Sequence, residues 1–365
     1  MNRIPTLDGW RGIAILLVLA EHAGQHGQFK DQMWARLGFL GVDIFFVLSG
    51  YIITARLIDE QRKLSTISLS SFYLRRAFRI LPLVAVYLAT LFLLSRFIDL
   101  IDFRPAELAG SLFFFRNYQF AARPWGLYTT HFWSLSIEEH FYLLWPTLLL
   151  WFGNRRALWL AITGASASAF WRIYECRQHG YIFSSATPAL HALQTDARLD
   201  GLLLGSALAI LLTRAPIRDF IIHNFQKETP LLLAPLLFLS LVWAHGYPSF
   251  TLYILIAIAV AYTLVVEKGP TYRYLNARPL VWVGKISYSL YVWQQLFLLY
   301  PGGNILPLGR LSQFPVNLAC VFAVASCSFY FMERPAIALG KRMLRQPCVR
   351  YFPLADGGLL TTVKD

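Results

Sequence analysis

Residues 7–22 read LDGWRGIAILLVLAEH, an apolar run that carries Arg11 near its start and His22 at its end. Apolar stretches of about 17–25 residues are typical of membrane-spanning helices, so we predict that residues 12–27 span a membrane. Eleven helical steps of about 100° return to within about 20° of the starting direction, so Arg11 and His22 share one helix face, about 16 Å apart. Because ionisable side chains are costly inside a span, both residues are candidate site residues.

The rest of the chain repeats this apolar character. Of its 365 residues, 56% are hydrophobic and 15% are charged, and the mean hydropathy is +0.49. Soluble domains average about 45–50% apolar residues and about 25% charged residues. The composition of this chain therefore excludes a disordered chain, a coiled coil and an ordinary cytosolic enzyme. We predict an all-α, polytopic transmembrane helix bundle. The ten predicted spans are 12–27, 38–57, 79–97, 134–152, 157–174, 198–213, 230–246, 250–266, 280–299 and 313–332. An eleventh apolar stretch, 108–120, is short and holds Arg116 and Asn117, which favours a re-entrant segment or a half-helix.

The basic residues predict the orientation of the bundle. If both termini lie inside, the inside segments hold 23 of the 33 Lys and Arg residues, as the positive-inside rule requires. We therefore predict a multi-pass protein of the inner (plasma) membrane with both termini in the cytoplasm. Residues 1–335 would form the transmembrane domain, and residues 336–365 a short basic cytoplasmic tail.

Topology and contact with membrane lipid also explain most of the net charge of +13, and no nucleic-acid-binding motif is present. The spacing of the four cysteines indicates neither a disulfide framework nor a metal site. His22 and His26 lie one helical turn apart, but no third potential ligand stands at a spacing typical of a metal site. We therefore predict no metal.

The second span contains GVDIFFVLSGY, residues 41–51, with Asp43 near its outer end. Asp43 is either an interfacial cap or the partner of a histidine or arginine. Ser49 and Gly50 are small residues that allow close approach of another helix.

Three arginines, Arg75, Arg76 and Arg79, follow in an inner loop. Arg76 and Arg79 are three residues apart and share a helix face, where their planar guanidinium groups could clamp phosphates. The alternative is that they serve only the positive-inside rule. Arg11 and His22 also have alternative interpretations. Arg11 alone would be typical of an anchor at the membrane interface, and His22 alone would be typical of a buried histidine bonded to a neighbouring helix.

Residues 132–142 read FWSLSIEEHFY. Ser136 and Glu139 fit a capping box that opens a helix, so we interpret Glu139 as structural. Glu138 has no such role and is a candidate catalytic acid or base. Further along, Arg198 and Asp200 could pair within the bundle, and structural pairing is at least as well supported there as function.

Together and in this order, the motifs resemble the acyltransferase family 3 integral membrane proteins, which O-acylate carbohydrates and other extracytoplasmic acceptors. The resemblance runs from Leu7 to Pro335, nearly the whole chain. It rests on Arg11 with His22, GVDIFFVLSG, Arg76 with Arg79, WSLSIEE and the segment from Arg198 to Gly205. One position departs from the pattern: Gln294 stands where many members have a histidine, and glutamine cannot titrate.

The resemblance implies an acyl-CoA donor, most simply acetyl-CoA, on the cytoplasmic side and a carbohydrate, glycolipid or lipid-linked glycan acceptor outside. In this hypothesis Arg11, Arg76 and Arg79 bind the donor's phosphates, and His22 is either a general base or a nucleophile that carries the acyl group. Glu138 or Asp43 would orient His22. The competing hypothesis is a transporter or flippase for a glycan or lipid, in which the same residues line a path without chemistry.

Overall fold

A computed structural model describes residues 4–24, 38–99, 101, 103–119, 126–179, 193–224, 250–299, 308–344, 350–353 and 359–362. These residues are almost entirely helical. The helices of the first half are α1 Pro5–Gly24, α2 Gly38–Leu64, α3 Leu69–Leu94, α4 Pro105–Leu112, α5 Arg116–Gln119 and α6 Phe132–His179. Those of the second half are α7 Asp200–Leu211, α8 Ala215–Asn224, α9 Phe250–Val265, α10 Pro270–Leu275, α11 Arg278–Lys285, α12 Ser287–Leu298, α13 Val316–Ser328 and α14 Arg334–Met343.

Shorter elements join some of these helices. Leu127–Thr129 and Gly309–Ser312 are 3₁₀ turns, and Phe329–Glu333 is a π-helical turn that links α13 to α14 without a break. In the tail, β1 Arg350–Pro353 and β2 Leu359–Thr362 pair as an antiparallel hairpin. The all-α prediction therefore holds for the helical body, and the hairpin is a departure from it.

Within the described part of the chain, three helices are long and apolar enough to cross a membrane: α2, α3 and the continuous helix Val316–Met343. A fourth span results if α7 and α8, which are bent by 99°, are counted together. These helices support the prediction that the chain is a membrane protein, but the predicted number of ten spans is not confirmed. The predicted span 230–246 lies outside the described residues.

Several predicted spans take a different form. Segments 134–152 and 157–174 are the two arms of α6, which meet at Gly153 with non-helical φ 66° and ψ 168°. Segment 280–299 is divided at Ile286 into the end of α11 and α12. Segment 108–120 contains the second part of α4 and all of α5, and both helices are too short to cross a bilayer.

The core that supports the site lies where α1, α2, α3, α6 and α12 meet. Ile15, Phe46, Leu83, Ile137 and Val292, one from each of these helices, belong to one hydrophobic cluster and are at most 1% exposed. This packing brings together residues that are distant in sequence.

Two glycines allow α2 and α7 to cross in close contact. A side chain at Gly50 would collide with the backbone oxygen of Leu202, and one at Gly205 with that of Val47. Small residues at a helix crossing allow backbones to approach closely within a membrane. The expected role of Gly50 in close helix approach is therefore confirmed.

Candidate functional site

A cavity lies between α1, α2, α3, α6 and α12 and encloses about 810 Å³, including its opening. Its charged lining residues are Arg11, Arg56, Arg76, Arg79 and Glu138. Four of these five side chains were candidates from the sequence alone. The structure thus gathers the three predicted phosphate-binding arginines and the predicted acid around one space.

Arg11 and Arg79 carry like charges and lie within electrostatic range of each other, and Arg11 is also within electrostatic range of the carboxylates of Asp8, Glu138 and Glu333. Both are half-buried, and none of the described carboxylates lies within ion-pair distance of either guanidinium. Like charges held together in a partly dry site repel each other unless an anion lies between them. This part of the cavity is therefore suited to a ligand with more than one negative charge.

Arg76 has a different environment, although it is only three residues from Arg79. Its Nη2 lies 3.6 Å from Glu138 Oε2, and its Nε lies 3.5 Å from Glu139 Oε1. Its guanidinium carbon also lies 3.5 Å from the centre of the Tyr142 ring. Two acids and an aromatic ring thus contact Arg76. Its charge is therefore more fully neutralised than that of Arg11 or Arg79.

Glu138 is fixed at the cavity wall by two hydroxyl groups. Ser49 Oγ donates to its Oε1 over 3.2 Å, and the Tyr142 hydroxyl donates to its Oε2 over 2.7 Å. Its partners are Ser49, Tyr142 and Arg76, and none of these bonds joins it to His22.

The capping-box prediction for Ser136 and Glu139 is wrong. Helix α6 begins at Phe132, four residues earlier, because buried Phe132 and Trp133 continue the helix into the core. Ser136 instead donates to the Phe132 carbonyl over 2.9 Å and accepts from the Arg116 backbone N–H over 3.2 Å. Glu139 contacts Arg76 rather than capping the helix.

Asp43 does not line the cavity. Its Oδ1 accepts from Arg198 Nη2 over 3.2 Å and from the Tyr253 hydroxyl over 2.7 Å. Nearby, Arg172 forms an ion pair with Asp200. We call these five residues the buried ion network. Asp43 is therefore the partner of an arginine, and the predicted pairing of Arg198 with Asp200 is wrong because Arg198 reaches across to α2 instead.

His22 lies near the end of the described part of α1. Its Nδ1 is 2.9 Å from the Val18 carbonyl oxygen, and a carbonyl can only accept. In the neutral ring the proton therefore sits on Nδ1, and Nε2 carries the lone pair. His22 is outside the lining of the cavity but within electrostatic range of His131.

Sequence reasoning missed a set of polar side chains between the arginines and His131. The Tyr291 hydroxyl donates to the His131 backbone oxygen over 2.8 Å, and Ser134 Oγ lies 2.6 Å from the same hydroxyl. His131 Nδ1 lies 2.8 Å from Gln295 Oε1. Serine and tyrosine in apolar helices are common, so only the hydrogen-bonded context marks these residues.

Among the described residues, no group of three His, Cys, Asp or Glu side chains could hold a metal ion. His26, which the sequence places one helical turn after His22, lies outside the described part of the chain.

Comparison with known proteins supports the family resemblance that the sequence motifs indicate. A family model for the acyltransferase domain of the acyltransferase 3 type matches residues 4–333. The chain is 29% identical over 364 residues to the peptidoglycan O-acetyltransferase of Listeria monocytogenes, covering 91% of this chain and 55% of that protein.

A Staphylococcus aureus protein provisionally named as an O-acetyltransferase is 30% identical over 368 residues, with 92% of this chain and 57% of that protein covered. A Bacillus subtilis protein provisionally named as a peptidoglycan O-acetyltransferase is 28% identical, with 93% and 56% covered. The chain thus spans little more than half the length of these relatives. No solved structure matches it significantly.

Proposed function

Since this chain belongs to the acyltransferase 3 family, we propose that it is a membrane-embedded O-acyltransferase. It would move an acyl group, preferably acetyl, from cytoplasmic acyl-CoA to a hydroxyl of an extracytoplasmic carbohydrate, glycolipid or lipid-linked glycan. The observation that carries this proposal is the convergence of Arg11 and Arg79 on one cavity with no described carboxylate in ion-pair contact.

The two arginines fit the donor because coenzyme A is a multivalent phosphate anion. Guanidinium groups bind phosphate oxygens with strong, charge-assisted hydrogen bonds. Arg56, which also lines the cavity but is exposed, adds positive charge beside them. Arg76 contributes mainly by fixing Glu138 and Glu139, since its guanidinium is already in contact with both.

His22 is the proposed catalytic residue. In the base mechanism, Nε2 takes the proton of the acceptor hydroxyl while the hydroxyl oxygen attacks the thioester carbonyl carbon. The carbon–sulfur bond then breaks, and the thiolate leaves and takes up a proton. In the covalent alternative, Nε2 attacks the thioester carbonyl carbon, the carbon–sulfur bond breaks and the thiolate leaves. The acceptor oxygen then attacks the acyl carbon, the bond to Nε2 breaks, and the hydroxyl proton passes to the thiolate or to water. The proton on Nδ1, held by Val18, leaves Nε2 with the lone pair that both routes need.

The position of His22 also fits the shape of such a donor. Arg11 and His22 lie about 16 Å apart along one face of α1. A donor with phosphates at one end and a thioester at the other end of a long arm could therefore contact both. Because two relatives carry the name of peptidoglycan O-acetyltransferases, a peptidoglycan-derived oligosaccharide is the first acceptor to test.

The test uses the full chain purified into lipid nanodiscs, with acetyl-CoA and a muropeptide-derived oligosaccharide. We expect thiol release coupled to acetylation of the sugar. His22→Gln should lower the rate by about 10²- to 10⁴-fold, the usual contribution of a general base. The matched control is His223→Gln, an exposed histidine on α8 that should leave the rate unchanged.

Two outcomes would contradict the proposal. Near-normal transfer by His22→Gln would remove His22 from the chemistry. Movement of labelled glycan across proteoliposomes without any thioester turnover would favour the transporter hypothesis instead.

A further inference from the structure

Ser287 is the first residue of α12 and lines the cavity. Its side chain is 0% exposed, yet its Oγ has no hydrogen-bond partner among the residues that the structure describes. Buried polar groups nearly always have a partner, so a fully buried hydroxyl that faces a cavity without one indicates a group that a ligand satisfies. The proposed donor phosphates and thioester do not account for it.

A pair of further hydroxyls lies one helical turn along the same wall. Tyr291 uses its only hydroxyl hydrogen to donate to the His131 carbonyl over 2.8 Å. The 2.6 Å contact with Ser134 then runs from the Ser134 hydroxyl to the Tyr291 oxygen, and it takes the hydrogen that Ser134 could otherwise donate to the same His131 carbonyl over 3.4 Å. Both hydrogens are then used, and Ser134 and Tyr291 keep only lone pairs, which can accept.

We call Ser287, Tyr291 and Ser134 the polar stripe. Ser287 and Tyr291 are four residues apart on α12, so they share a face with about 6 Å between them along the axis. The neighbouring Tyr288 donates to the Ile80 carbonyl over 3.0 Å, next to Arg79 in the chain. At the other end, Tyr291 bonds to His131, which lies within electrostatic range of His22. The stripe therefore extends from the arginines towards the histidines.

We propose that the polar stripe binds the amide groups in the pantetheine arm of an acyl-CoA donor. This inference rests on the proposed function. The arm joins the phosphates to the thioester and carries two secondary amides, each with one donor and one acceptor. Ser287 supplies both a hydrogen and lone pairs, while Ser134 and Tyr291 supply lone pairs for an amide N–H.

The experiment compares three acetyl donors with the full chain in nanodiscs: acetyl-CoA, S-acetylpantetheine and an amide-free alkyl thioester of acetic acid. Ser287→Ala should lower kcat/KM about 3- to 10-fold for the first two donors, the usual worth of a neutral hydrogen bond. It should leave kcat/KM for the amide-free donor unchanged. Arg79→Ala should show a different pattern, with a loss for acetyl-CoA only.

Two controls separate binding from folding. Ser326→Ala removes a half-buried serine hydroxyl on α13 that donates to the Phe322 carbonyl and does not line the cavity, so it should leave all three donors unaffected. Ser287→Ala breaks no hydrogen bond to a described residue, so its thermal unfolding midpoint should match that of the wild type. Ser287→Cys, which hydrogen-bonds weakly, should lie between wild type and Ser287→Ala.

Equal losses for all three donors, or no loss for any, would overturn the assignment of the stripe. Absence of transfer by the wild type would instead contradict the proposed function. Calorimetric binding of S-ethylpantetheine, an unreactive thioether, tests the stripe in that case as well. Weaker binding by Ser287→Ala would support the stripe, and equal affinity would overturn it.

Discussion

The cavity and the buried ion network both place arginines inside apolar helices, but their charge balance differs. In the network, Arg172 and Arg198 face Asp43 and Asp200, and none of the four side chains is more than 1% exposed. In the cavity, Arg11, Arg56, Arg76 and Arg79 are accompanied on the lining by one acid, Glu138. A charged residue in an apolar helix can thus be neutralised by a buried partner, as in the network, whereas the lining of the cavity carries an excess of positive charge.

The physical reason is the cost of removing a charge from water. A fully buried pair recovers that cost only through its partner, so the network must be neutral. A cavity open to water or ligand tolerates an excess charge. Substitutions in the two regions should therefore have different effects on folding and on ligand binding.

Removing one member of the buried ion network should affect folding most. Arg198→Ala leaves the Asp43 carboxylate buried without its cation, so the free energy of unfolding should fall by about 3–5 kcal/mol. Denaturant unfolding in detergent micelles measures this loss. The double variant Asp43→Asn with Arg198→Met removes both charges and should recover part of it. An unchanged unfolding curve for Arg198→Ala would mean that the network is not balanced by pairing.

Removing an arginine of the cavity should affect ligand binding rather than folding. Arg79→Ala should weaken acyl-CoA binding about 10- to 150-fold, equivalent to the 1.5–3 kcal/mol of a hydrogen bond to a charged group. Its stability should be unchanged or slightly higher, because repulsion with Arg11 is relieved.

The control for Arg79 is Arg75→Ala on the same helix. Arg75 is exposed and forms an ion pair with Glu60 at 3.0 Å, outside the cavity lining. It should leave acyl-CoA affinity unchanged. Equal losses for Arg75→Ala and Arg79→Ala would indicate a general effect of positive charge, and the contrast between cavity and surface would fail.

Two adjacent glutamines allow a similar comparison between uncharged side chains. One of them has hydrogen-bond partners, and the other has none among the described residues. Gln295 accepts from Thr130 over 2.9 Å and contacts His131, so Gln295→Met should cost about 1–3 kcal/mol of unfolding free energy. This loss is measured in the same micelle unfolding assay. A stability equal to that of the wild type would show that the His131 contacts contribute little.

Gln294 is equally buried, but neither its Oε1 nor its Nε2 has a partner among the described residues. Gln294→Met should therefore change stability by less than about 0.5 kcal/mol or increase it, since no bond is lost. A large loss of stability from Gln294→Met would reveal an interaction that the carboxamide makes in the folded protein.

Six site residues are predicted from the sequence. Arg11, Arg76, Arg79 and Glu138 line the cavity, whereas His22 and Asp43 do not. The sequence picks out these charged residues because arginine and glutamate are conspicuous in apolar runs. It did not predict which charges pair. The bond between Arg198 and Asp43 joins residues 155 positions apart, and its existence depends on how α2 and α7 cross. Ser287 was also missed, since a serine in an apolar segment carries no signal until its surroundings are known.

Helix boundaries show the same limit. The apolar character of residues 280–299 predicts one helix, but the chain is divided at Ile286. The division is imposed by packing, because Gly284 brings the backbone of α11 against the backbone oxygen of Asp8 at the start of α1. Such a close approach depends on the neighbour and not on local composition.

The π-helical turn Phe329–Glu333 has a consequence for comparing this chain with its relatives. A π-turn corresponds to one inserted residue within an otherwise regular helix, and each added residue rotates the remainder of the helix by about 100°. Glu333, the last residue of the turn, is buried and accepts from Ser289 Oγ over 3.1 Å. In a relative with a one-residue deletion in this turn, the residues after the deletion would be rotated by about 100°, so a single gap in an alignment here marks a change of helix face.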